Sequence, residues 1–161
     1  MIPSPLRLEK HFFTRLHVDA CPDGCATAGA GRVTSEVSCF REETDPPLWM
    51  VQLDLRREKD EEQGCPEYSF DVQVIGLFSV DPTFPEERID RLVHANGAAV
   101  LYGAAREMIA NLTSRGPFAQ VNLDTVTFVD EVHELAPAAT AKPTRKVPRR
   151  KAAPKKAKAA Q

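Results

Sequence analysis

Apolar and polar positions alternate through the first half of the chain. Leu6, Leu8, Phe12, Leu16 and Val18 share one parity, while Arg7, Glu9, Arg15 and His17 share the other. Such period-two patterning predicts a half-buried strand over 6–18, with Lys10 and Phe13 as exceptions. The stretch from Ala20 to Gly31 is rich in small and turn-forming residues and reads as a loop. A second strand is predicted from Arg32 to Phe40, where Val33, Ser35, Val37 and Cys39 alternate, and Asp45-Pro46-Pro47 ends that segment. Trp49, Val51, Leu53 and Leu55 define a third strand, and the charged run from Arg56 to Gln63 reads as a solvated hairpin tip. Tyr68, Phe70, Val72 and Val74 open a fourth, which continues to Val80, with Gly76 marking a bulge or a close backbone approach.

After Asp81-Pro82 the period changes. Pro85 suits the first position of a helix, and Glu86 and Glu87 suit its positive end. Ile89, Leu92 and Val93 form a short stripe that Asn96-Gly97 is expected to interrupt. A second helix is predicted over 98–114, with Leu101, Ala105, Met108 and Leu112 on its apolar face. Gly116 and Pro117 stop it. Phe128, Val132 and Leu135 recur at i, i+4 and i+7 and predict a short final helix. Strands first and helices later predict an α+β fold, a four-stranded antiparallel sheet with helices packed on one face. The other face must meet water, a second subunit or a ligand. Phe12 beside Phe13, Cys39 beside Phe40, and Ile75 and Leu77 beside Val74 and Phe78 put apolar residues on both parities. Two readings stand: an oligomer or sticky binding surface, or an irregular core.

Charge divides the chain. All 23 acidic residues lie at or before Glu134, against twelve basic ones, giving that part −11. The remaining nine basic residues lie at or after Lys142 and give the end of the chain +9. From Ala136 onward there is no acid and no aromatic residue, so 1–135 is expected to be the folded domain and 136–161 a disordered basic tail. Lys146, Arg149, Arg150 and Lys151 are its candidate contacts to nucleic acid, a ribosome or an anionic lipid surface. Without aromatics for base stacking, nucleic-acid binding would be non-specific and salt-sensitive. The plainer reading is a solubilising tail that folds back weakly on the acidic domain. The first residues carry neither a basic nor an apolar signal segment, and the longest apolar run is far short of a membrane span, so the cytosol is expected. In that compartment Cys21, Cys25, Cys39 and Cys65 are expected to be reduced and unremarkable. Cys21 and Cys25 have a turn-like spacing that two zinc ligands could use, but a second pair at such spacing is missing, so no metal is expected. No phosphate-binding glycine loop, zinc-protease motif or nucleophile elbow is present, and the four histidines are scattered. No catalytic residue, cofactor or small-molecule substrate is expected.

Gly76-Leu-Phe-Ser-Val80, Ala104-Ala-Arg-Glu-Met-Ile109, Ser114-Arg-Gly-Pro-Phe118, Val121-Asn-Leu-Asp124 and Val126-Thr-Phe128 follow one another in an order that resembles the protein-export chaperone family SecB. The resemblance covers roughly 6–135 and is most specific from about 68 onward. It implies a homotetramer built as a dimer of dimers. It also implies an ATP-independent holdase that grips unfolded preproteins in apolar grooves, and a sheet surface that docks the motor SecA. On that reading Asp19 and Asp71 fall on acidic docking positions, and Phe13, Phe40, Leu77 and Phe128 are candidate apolar client contacts. Arg15 stands where the family often carries Asp. The first loop is short and lacks the family's aromatic residue, and the long helix has Gly103-Ala104 where the family has Pro-Tyr. These departures motivate a second reading, a chaperone dedicated to one client such as the antitoxin of a toxin–antitoxin pair.

Overall fold

A computed structural model describes residues 4–21, 26–27, 30–58 and 64–129. Strand β1 (Leu6–Ala20) is followed by the two-residue β2 (Ala26–Thr27), β3 (Arg32–Glu42), β4 (Leu48–Glu58), the two-residue β5 (Cys65–Pro66) and β6 (Tyr68–Val80). Four of these form one antiparallel sheet in the order β1-β6-β4-β3, while β2 and β5 pair in parallel beside it. The antiparallel sheet with helix packing on it is the expected fold class. Strands β3, β4 and β6 make successive antiparallel neighbours. Strand β1 lies at the far edge, so the segment from Cys21 to Gly31 must cross from one edge to the other.

On β4 and β6 the alternation read from sequence holds throughout. Val51, Leu53, Leu55, Val72, Val74 and Phe78 have no solvent exposure, and each lies on the same face. Burying a side chain of this size contributes about 1.5–3 kcal/mol. On β1 the single parity fails. The register shifts between Leu8 and Lys10 and again between Phe13 and Arg15. Each shift inserts a residue and turns the next side chains over. Leu8, Phe13 and Val18 therefore pack against the core, while Phe12 points to the opposite face and remains 38% exposed.

The helical region is continuous rather than interrupted at Asn96-Gly97. A 3-10 turn (Glu86–Arg88) leads into α1 (Ile89–Leu92), a π turn (Val93–Gly97) and α2 (Ala98–Thr113). The π turn carries Asn96 and Gly97 inside the helix, and Gly97 packs against Val51. The buried stripe of α2 is Ala98, Leu101, Tyr102, Ala105, Ile109 and Thr113. Leu112, expected on that stripe, is exposed, and Met108 is only half-buried. Two glycines fit the helix and its exit to the sheet. A Cβ on Gly76 would lie 2.6 Å from the Phe78 ring and 2.8 Å from Leu101, and one on Gly116 would overlap the Tyr68 hydroxyl. The glycines of the strand-end and helix-stop motifs are thus space requirements.

After turns and bends at 114–118, residues 119–128 run along the domain as an extended segment with no helix or strand. Tyr68 and Thr113 hold them. The Tyr68 hydroxyl donates to Thr113 O at 3.1 Å and accepts from Phe118 N at 3.0 Å, and Thr113 Oγ1 accepts from Val121 N at 3.0 Å. Of the expected final helix, Phe128 is in this extended segment, while Val132 and Leu135 lie outside the described residues, as does 136–161.

Candidate functional site

A groove of about 530 Å³ opens between the edge strand β3, the start of α2 and the extended segment. Its apolar walls are Val33 and Leu55 from the sheet, Tyr102 from α2, and Val121, Leu123 and Val126 from the segment. Tyr102 donates to Asp124 O at 2.6 Å and packs edge-on against Phe128, with centroids 6.0 Å apart, which fixes the far wall. Burial raises the Tyr102 pKa, so its hydroxyl keeps the proton it donates. Val33 and Val126 are 41% and 44% exposed and face solvent at the rim. Arg57 also lines the groove but is buried. Its Nε and Nη2 both donate to Ala30 O, at 3.1 and 2.6 Å. Desolvation lowers its pKa and the charge of Glu67 opposes that. The guanidinium thus ties the end of the crossover to β4. Gly31 follows at φ +83°, where a Cβ would also meet Glu58 O at 2.8 Å.

The face of the sheet away from the helix is a second surface, and it has two halves. Phe40 on β3, Met50 on β4 and Leu77 on β6 form one row by register, with Ile75 and Phe12 in the next. At the other end Arg15, Gln73, Asp54 and Glu36 line up across all four strands, followed by His17, Asp71, Arg56 and Thr34. Arg15 Nη2 donates to Asp54 Oδ1 at 2.7 Å. Its Nε lies 2.8 Å from Asp71 Oδ1 as an ion pair without hydrogen-bond alignment. Arg56 Nε reaches the same Asp71 oxygen at 3.4 Å, and Gln52 and Gln73 donate to Asp54 at 2.7 and 2.9 Å.

The predicted residues divide accordingly. Asp19 and Asp71 are both on the charged half of the open face. Asp71 is met by two guanidinium groups, and Asp19 lies 3.2 Å from His17 Nε2. Phe40 and Leu77 share the apolar half. Phe13 does not join them, because the register shifts turn it toward the core. Phe128 is not surface-exposed either. It is 5% exposed, being the residue that packs the extended segment under Tyr102. Lys146, Arg149, Arg150 and Lys151 lie outside the described residues. Sequence reasoning missed the groove because its walls come from three separated segments. Among the described residues no group of three metal-ligating side chains occurs, and no helix is long and apolar enough to cross a membrane.

Comparison with known proteins bears on this arrangement. The family model of SecB, preprotein translocase subunit SecB, matches residues 19–134. The protein-export protein SecB from two strains of Acidithiobacillus ferrooxidans is 36% identical over 61 residues, which is 38% of this chain. That match spans 40% of the length of those relatives. A SecB-like chaperone of Mycobacterium tuberculosis, solved in complex with a ChAD peptide from the HigA1 antitoxin, superposes with a TM-score of 0.50. It is 14% identical, over 76% of this chain and 91% of its own, which speaks to the fold. With the family model running across most of the sheet, the helix and the segment that follows it, the chain belongs to the SecB family.

Proposed function

We propose that this protein is an ATP-independent holdase that binds unfolded polypeptides and keeps preproteins competent for export. The observation that carries the reading is the apolar groove beside β3, with exposed Val33 and Val126 at its rim and no catalytic group among the described lining residues. An extended apolar segment laid there loses water-exposed area at about 25 cal/mol per Å², which holds a client without chemistry. Phe40, Met50 and Leu77 offer a second apolar contact on the open face. Asp19 and Asp71 are the proposed docking positions for SecA, in a field that Arg15 and Arg56 make mixed rather than acidic. The proposed assembly is a homotetramer, a dimer of dimers. The exposed Val100 and Leu112 on the outer side of α2 and the open edge of β1 support it.

The test is light scattering from an aggregating unfolded protein, without nucleotide. The wild type is expected to suppress the rise. Val33→Asp and Val126→Asp, at exposed positions, are expected to weaken suppression at least about tenfold while leaving the denaturation midpoint in place. Scattering that rises equally fast with and without the wild type would sink the proposal.

The second reading, dedication to one client such as an antitoxin, is favoured by Arg15, which neutralises part of the docking surface. The solved relative that carries an antitoxin peptide points the same way. Tight binding of one client and indifference to a panel of unfolded preproteins would select it.

A further inference from the structure

Cys21 and Cys65 are 44 positions apart, yet the fold sets their Sγ atoms 3.1 Å from one another. Cys21 is the residue after β1 and is buried; Cys65 opens β5 and is half-buried. The backbone holds both. Cys21 N donates to Glu67 O at 3.0 Å, and Cys65 pairs with Ala26 in the small parallel sheet. The sulfurs are therefore brought together by the architecture at the start of the crossover. The spacing is about 1 Å longer than a disulfide bond. It is shorter than the roughly 3.8 Å between two thiolates on one tetrahedral zinc. The remaining thiol among the described residues behaves differently: burial first, then the charge of Asp90, pushes Cys39 up to about 11, which keeps it protonated and unreactive.

We infer that Cys21 and Cys65 are a modification site, a dithiol that a low-molecular-weight disulfide such as glutathione disulfide converts to an intramolecular cross-link. The half-buried Cys65 thiolate attacks one sulfur of the oxidant, forms a mixed disulfide and releases one thiol. The Cys21 thiolate then attacks Cys65 Sγ, closes the Cys21–Cys65 bond and expels the second thiol. Two S–H groups of the protein become one S–S bond, and the S–S bond of the oxidant becomes two S–H groups. A reducing thiol pool runs the exchange backward, so the link is transient rather than structural. The crossover would then be held at both ends, by the disulfide at Cys21 and by Arg57 on Ala30 O beside the groove. Any effect on client binding rests on the function proposed above; formation of the bond does not.

The full chain is incubated with glutathione disulfide, alkylated and digested with trypsin. The expected result is a loss of about 2 Da and a reducible link between peptides 16–32 and 60–88, with Cys39 alkylated only after unfolding. Because 16–32 also contains Cys25, the link is expected to persist in Cys25→Ser and to vanish in Cys21→Ala and Cys65→Ala. The urea midpoint is expected to rise on oxidation in the wild type and Cys25→Ser only, and Cys65→Ala gives a second route should Cys21→Ala fold poorly. Unlinked peptides under excess oxidant overturn the inference, and so does a link that survives Cys21→Ala. Co-purified zinc that is lost in Cys65→Ala, and that blocks oxidation until chelated, also overturns it. These readouts are masses and midpoints, so their failure is separable from failure of the chaperone proposal.

Discussion

On β4, Val51, Leu53 and Leu55 point toward the helix and are fully buried, whereas Met50, Gln52 and Asp54, interleaved with them, point away and keep partial exposure. One strand serves two surfaces under different physics. The covered face is apolar over nearly its whole length and closes around α2. The open face changes character midway, from Phe40, Met50 and Leu77 to Arg15, Asp54 and Asp71. The side chains that build the core and those that face away from it are thus separated by one residue in sequence and by the thickness of a sheet in space. A substitution one position along the strand should change a different property of the protein.

The sharpest way to break this contrast uses neighbours on β6. Phe78→Ala, at a site with no exposure, is expected to cost about 4 kcal/mol in urea denaturation. Leu77→Ala, half-buried on the open face, is expected to cost about 1 kcal/mol. Equal costs would show that a second subunit covers the open face as completely as the helix covers the other. An effect smaller than that of Phe78→Ala concerns Cys39, which is on the covered face with its thiol raised to about 11 against an ordinary 9.0. The folded state holds this proton more tightly than the unfolded chain does. Its contribution is present in full below pH 9 and is lost as the pH rises toward 11. Cys39→Ala is expected to flatten the fall in stability over that window by about 2 kcal/mol, read as the difference between two pH series. The smallest effect belongs to the charged half. Arg15→Met is expected to cost less than about 1 kcal/mol, because the pair is partly solvated and exposed ion pairs contribute little. Its larger consequence is a more negative surface at Asp54 and Asp71, read as faster, salt-dependent association with a basic partner.

The four long strands were legible because three of them keep strict alternation. Strand β1 was legible only as a strand. Two register shifts reverse which residues face the core, and nothing in the spacing of Phe12 and Phe13 distinguishes a shift from a flaw in the pattern. The helical stripe was read one position away, since Tyr102, Ile109 and Thr113 replace Met108 and Leu112 among its buried residues. Thr113 is buried because its hydroxyl has partners in Ile109 O and Val121 N, a tertiary fact that periodicity does not carry. The motif glycines were recognisable as a string, but their reason, the approach of Leu101 and Tyr68, is a tertiary contact between distant segments. The groove and the Cys21–Cys65 approach are assembled from distant segments, so neither had a local signature.

The π turn at Val93–Gly97 has a bearing on how this chain compares with its relatives. It accommodates one residue more than an α-helical turn would, and it does so between two stretches whose inward sides are already set, Ile89 and Leu92 before it and Ala98 to Thr113 after it. Each residue of an ordinary helix advances by about 100°, so an extra one spread over the whole helix would turn the later stripe out of the core. Confined to a single widened turn, it leaves both sides where they are. A relative one residue shorter at this point would close the turn into regular helix and keep the same packing. A difference of one residue between Leu92 and Ala98 can thus be absorbed in this turn without rotating the stripe of α2.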